Sequence, residues 1–118
     1  MSPSPKAPPE FSATPLSAVA VHVLLALADR NRHGLGIADH IEHETGGHVS
    51  MGPGTLYGAI KRLLDTRLIE DTDEAPDGEH ADPRRRYYRI TPLGRRALAV
   101  EAAQLANLVK LAKAKRVF

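Results

Sequence analysis

Residues 51–69, MGPGTLYGAIKRLLDTRLI, leave this chain few ways to fold. Leu56, Ile60, Leu63 and Leu64 fall at i, i+4, i+7 and i+8, the apolar stripe of one helix face. A helix turns about 100° per residue, so Gly54, Gly58, Lys61 and Asp65 point the other way. Thr55 and Arg62 flank that outer face on one side, Tyr57 on the other. Gly52 and Pro53 make a start, because proline at the first helical position gives up no hydrogen bond. Glycine inside a helix costs about 1 kcal/mol relative to alanine. Two on the outer face suggest that something large approaches closely, as it would in the N-terminal half of a helix lying in a DNA major groove. An ordinary amphipathic core helix is the alternative, and this helix alone does not choose between the two.

The neighbouring segments do. Leu35, Ile37, Ala38 and Ile41 mark a preceding helix that runs to about Thr45, and Gly46-Gly47 ends it. Helix, glycine-containing turn and helix is a helix-turn-helix pattern, with a turn longer than the tight form. Residues 68–72 and 84–91 both read as strands, the second with Tyr88 and Ile90 on one face and Tyr87 and Arg89 on the other. Pro76, Asp77 and Gly78 mark the loop between them, and residues 30–34 read as a short polar connection. The expected fold is mainly α with a small β-hairpin: a winged helix-turn-helix.

Two further helices frame it. Residues 17–29, SAVAVHVLLALAD, open on Ser17 as cap and are apolar nearly all round. A helix like that is buried on more than one side, so a partner subunit or a long second helix is expected over it. Thr91-Pro92 opens the last helix, which runs to about Arg116 with Leu98, Ala102, Leu105, Val109 and Ala112 as its stripe and Leu108 and Leu111 widening it. Such a helix overhangs a small body, and a second copy of the chain is its expected cover. The expected dimer interface comprises Val19, His22, Val23, Leu98, Leu105, Leu108, Val109 and Ala112. His22 is the one polar side chain along the middle of its helix. It is expected either as a paired interface histidine or as the hydrogen-bonding group of a small-molecule effector pocket. Residues 1–15, rich in proline, serine and alanine, read as a disordered tail. That leaves 16–91 as the winged domain and 92–118 as the dimerisation helix.

Composition narrows the function. The net charge of +2 is small, but it is segregated. Residues 70–82 carry seven acids and no Lys or Arg; residues 84–96 carry six arginines and no acid. With no cysteine, disulfides, thiolate zinc sites and cysteine nucleophiles are excluded. His40, His43 and Glu44 sit together but lack matching ligands elsewhere, so no metal or other cofactor is expected. Neither a nucleophile–base set nor a phosphate loop is apparent, so an enzyme is not expected. No apolar run is long enough for a bilayer, and the proline-rich start does not suit a signal peptide, so a cytoplasmic protein is expected.

Four segments together resemble the PadR-like family of bacterial transcription regulators: LLALAD at 24–29, HGLGI at 33–37, GPGTLYGAIKRLLDTRLI at 52–69 and RRRYYRITPLGRRAL at 84–98. Leu35 stands where that family often has tyrosine. The resemblance implies a homodimeric winged-helix DNA-binding protein of the short branch, usually a repressor released by a small molecule. On that reading Gly54 and Gly58 allow close approach to double-stranded DNA, and Thr55, Tyr57, Lys61 and Arg62 reach bases or phosphates. Arg84, Arg85 and Arg86 lie on the wing strand and track the backbone. The acidic wing tip points away from phosphate or stays mobile. Two copies read a pseudo-palindrome with half-sites about one helical turn, ~34 Å, apart. The competing reading is a winged-helix protein-interaction module that does not bind DNA.

Overall fold

The computed structural model describes residues 16–76 and 80–118, so the expected tail at 1–15 lies outside the described residues. Four helices surround a small antiparallel sheet: α1 Ala18–Ala28, β1 Arg32–His33, α2 Gly34–Glu44, α3 Pro53–Asp65, β2 Ile69–Thr72, β3 Tyr87–Ile90 and α4 Pro92–Ala114. The class is α+β, with the winged-helix order of elements.

The helix starts follow from their capping residues. Ser17 Oγ accepts from the Ala20 N–H at 3.1 Å, and Thr91 Oγ1 accepts from Gly94 N–H at 2.9 Å. Pro53 and Pro92 stand in the first turns of α3 and α4. The stops of α2, α3 and α4 share one device. After α2, Gly46 takes φ 62° and Gly47 N–H reaches back to Glu42 O at 2.8 Å. After α3, Arg67 takes φ 61° and Leu68 N–H reaches Leu63 O at 2.9 Å. After α4, Arg116 takes φ 59° and Val117 N–H reaches Ala112 O at 2.9 Å. Each is a left-handed residue that lets the chain satisfy an orphan carbonyl and turn away.

The strand order is β1-β3-β2. Three strands form where two were expected. Residues 30–34 are more than a connection, because Arg32 and His33 pair with Tyr88 and Tyr87. On the other edge Ile69 faces Ile90 and Thr72 faces Tyr87. The wing strand also starts later than expected. Arg84, Arg85 and Arg86 precede it, and Arg85 N–H closes a turn onto Asp82 O at 3.0 Å. Tyr87, expected on the face with Arg89, is buried with Tyr88. Its ring packs edge-on against His33 at 5.8 Å, and its hydroxyl accepts from Asp82 N–H.

α1 is the centre of the core, packed by α2, α3, β3 and α4 of its own chain. Val23 and Leu24 are 0% exposed. Val23 was expected at a dimer interface; it is instead filled in by its own protomer and is not available to a partner. The long second helix supplies part of the cover, since Leu93, Ala97 and Leu98 of α4 pack onto the core. Glu101 extends that contact by accepting from Leu16 N–H at 3.2 Å. Beyond Glu101 the helix runs on in solvent, with Leu105, Leu108, Val109 and Leu111 exposed. Among the described residues no helix is long and apolar enough to cross a membrane.

Candidate nucleic-acid interface

α3 turns Leu56, Ala59, Ile60 and Leu63 into the core and leaves Gly54, Thr55, Lys61 and Arg62 exposed, with Tyr57 partly so. The two glycines are not there for the fold. A Cβ at Gly54 would meet nothing within 4 Å, and one at Gly58 would meet only the tip of Arg62, at 3.6 Å. Glycine therefore costs helix stability at both positions with no return in intramolecular packing. What they leave is a shallow, open strip along the first turns of α3.

Gly34 behaves oppositely. A Cβ there would sit 2.8 Å from Tyr57 Cε1, so the hydroxyl edge of the Tyr57 ring lies against the start of α2. This fixes Tyr57 across the two helices of the helix-turn-helix. The residue as a whole stays 45% exposed. Lys61 Nζ meets Asp65 at 3.1 Å, with both side chains largely exposed. An exposed i,i+4 pair of this kind opens easily.

On the wing, the charge segregation of the sequence folds into ion pairs. Arg86 donates to Asp71 at 2.7 Å and stacks its guanidinium 5.6 Å from the Tyr88 ring centroid. Arg89 donates to Glu70 at 2.7 Å. Arg84 forks onto Asp82 with Nε and a terminal nitrogen, both at 3.2 Å. Arg85 lies 2.7 Å from His33 Nε2 and 3.8 Å from Asp82. The hydrogen bonds from Arg84 hold the Asp82 carboxyl below its usual value, and those that Arg86 and Arg89 donate to Asp71 and Glu70 raise the two arginines. Burial raises the Tyr88 phenol.

The acidic loop is partly tied back toward the end of α1. Asn31 donates to Glu74 O at 3.2 Å, and Pro76 is buried. Beneath it lies a cavity of about 320 Å³ walled by Leu27, Arg30, Asn31, Glu74, Arg89 and Arg95, among others. The half-buried His22, the expected effector residue, is not on its wall. His40 Nε2 lies 3.3 Å from Glu44, an i,i+4 pair on α2.

Sequence reading missed His33. It caps α2 through Nδ1, which accepts from Gly36 N–H at 3.1 Å, and it meets Arg85 on its other nitrogen. Its signal was weak, because histidine is not among the preferred cap residues.

Residues 23–100 match the family model described as the transcriptional regulator PadR-like family. An uncharacterized 37.1 kDa transposon protein of Streptomyces fradiae is 41% identical over 86 residues, covering 73% of this chain and 22% of that protein. The chain therefore spans well under half of that relative. A transcriptional regulator of Mycobacterium tuberculosis is 35% identical over 94 residues, covering 80% of this chain and 81% of that one. The solved structure of a transcriptional regulator from Clostridium thermocellum superposes with a TM-score of 0.68 at 25% identity, covering 80% of this chain and 86% of its own.

Proposed function

Because this chain belongs to the PadR-like family of transcriptional regulators, we propose that it is a sequence-specific DNA-binding repressor. It acts as a homodimer on a pseudo-palindromic operator. The observation that carries this reading is the open strip at Gly54 and Gly58, where no intramolecular contact needs glycine. In the major groove the strip brings the α3 backbone close to the base edges, with Thr55, Tyr57, Lys61 and Arg62 around it. Arg84, Arg85 and Arg86 serve phosphates from the base of the wing.

The dimer is built on the free length of α4. Leu105, Leu108 and Val109 are each 45% exposed or more in the single chain. Val19, His22, Leu98 and Ala112 are only half-buried and complete the patch. Residues 16–91 are the DNA-binding unit and 92–118 the dimerisation helix. A small-molecule effector lodged between α1 and the partner's α4, near His22, shifts the spacing of the two reading helices and releases the DNA. It does so only to the extent that it binds one arrangement better than the other.

One observation favours the rival protein-interaction reading. The wing arginines already have carboxylate partners, and residues 70–90 carry seven acids against four arginines, so the wing of the free chain is net acidic. Fluorescence anisotropy with the duplex upstream of the protein's own gene, over a salt series, separates the two. A DNA-binding protein loses affinity with a log–log slope of about −0.9 per phosphate contact. Absence of binding to any duplex at low salt leaves the protein-interaction module.

A further inference from the structure

Asp82 is not a loosely placed surface acid. Its own N–H donates to the hydroxyl of Tyr87, which is buried, and its carbonyl accepts Arg85 N–H. Its Oδ1 accepts the backbone N–H of Arg84 at 2.9 Å, so the carboxylate is locked into the turn. The Arg84 guanidinium then closes on both of its oxygens, and Arg85 lies alongside. The Arg84 side chain is 88% exposed, while the Asp82 side chain is 26% exposed. A fixed anion thus sits at the root of the two arginines, where an exposed cation reaches back to it. A planar two-oxygen anion gripped by a guanidinium fork is also how a phosphate is gripped.

Resting on the DNA-binding reading above, we propose that Asp82 is an internal stand-in for a DNA phosphate. It competes with the backbone for Arg84 and Arg85, and so holds down the sequence-independent part of DNA affinity. To touch a phosphate, Arg84 must first leave a partner already in hydrogen-bond geometry. Where no α3 contact to the bases presses the wing against the duplex, the closed pair persists and Arg84 adds nothing. The Arg84 hydrogen bonds keep the Asp82 carboxyl ionised through the whole neutral range. The competitor is therefore always present. Asp71 of β2 holds Arg86, just before β3, in an ordinary ion pair, without the backbone anchorage to Arg84 N–H that distinguishes the Asp82 carboxylate.

The test separates charge from geometry. Asp82→Asn keeps an Oδ1 that accepts Arg84 N–H, and so keeps the turn, while removing the anion. Asp73→Asn is the control: an equal charge change at an exposed acid on the same wing with no ion pair to an arginine among the described residues. Binding of each full chain to a non-operator duplex is measured over a salt series. Asp82→Asn is expected to raise affinity about threefold and steepen the log–log salt slope by about 0.9, one added phosphate contact. Asp73→Asn is expected to change affinity by less than about 1.5-fold with an unchanged slope. Adding Arg84→Ala to Asp82→Asn should abolish the gain, whereas Arg84→Ala alone should do little. Equal effects of Asp82→Asn and Asp73→Asn overturn the proposal and leave DNA binding standing. So does weakened binding by Asp82→Ala with Asp82→Asn at the wild-type level, which would make Asp82 a positioning residue. A wild-type chain that binds no duplex overturns the DNA-binding reading together with this one.

Discussion

Gly94, in the first turn of α4, lies against the main-chain carbonyl of Leu68. A Cβ at position 94 would overlap the Leu68 oxygen and stand 2.8 Å from Ile90 Cγ1. The same carbonyl accepts the N–H of Thr91 at 3.1 Å, while the Thr91 hydroxyl beside it donates to the neighbouring Arg67 carbonyl at 2.8 Å. One oxygen thus docks the start of α4 onto the junction of α3 and β2. The TPLG motif at 91–94 is the sequence form of that contact: a cap, a first-turn proline and the only residue small enough to follow.

Gly94→Ala should therefore destabilise the protein. Overpacking against backbone costs about 1–3 kcal/mol, which exceeds the roughly 1 kcal/mol that alanine gains in a helix. Urea denaturation checks it, and a variant as stable as the parent would show that α4 can slide.

Gly58→Ala should do the reverse. The site is open, so the helix gains up to about 1 kcal/mol and Tm rises by about 4 °C. Affinity for the operator should fall, because a methyl group now stands in the strip. A variant that melts higher and binds DNA as well as the parent would remove close approach from the account.

Arg67→Gly should stabilise by about 0.5–1 kcal/mol. A side chain at φ 61° pays a left-handed penalty that glycine avoids, less glycine's greater entropy in the unfolded chain. The main-chain carbonyl that accepts the Thr91 hydroxyl is retained. The expected signature is a higher urea midpoint with an unchanged m-value.

Leu105→Glu/Leu108→Glu should leave the monomer's stability nearly unchanged, as both side chains are exposed in the single chain. Sedimentation velocity should show monomers where the parent shows dimers, and operator affinity should drop. Dimers that persist would place the interface elsewhere.

How much of this was legible beforehand differs by element. α3 and its buried stripe follow from spacing alone, as do the Gly46-Gly47 stop and the outward placement of Gly54 and Gly58. The helix caps Ser17 and Thr91 were equally plain. β1 was not, because two residues are too short for any periodicity; what makes them a strand is the far-off pair Tyr87 and Tyr88. For the same reason Arg84, Arg85 and Arg86 were assigned to a strand. The turn that holds them depends on Tyr87, whose hydroxyl anchors Asp82 from the core. Val23 was misplaced because an all-round apolar helix shows that it is covered, not by which chain. The packing of α4 on its own protomer decides that, and it depends on Gly94 and Leu68 coming together from opposite ends of the wing.

The unequal burial of α4 also makes it a lever. Its grip on the body lies between Leu93 and Glu101, around the fulcrum at Gly94 and Leu68, and the remaining length projects free. A helix of 23 residues is about 34 Å long, so a 5° tilt at the fulcrum moves the far end by about 3 Å. On the DNA-binding reading proposed above, a partner that holds that end would turn α3 with the same mechanical advantage in reverse: a displacement of several ångströms at the tip becomes a fine angular adjustment of that helix.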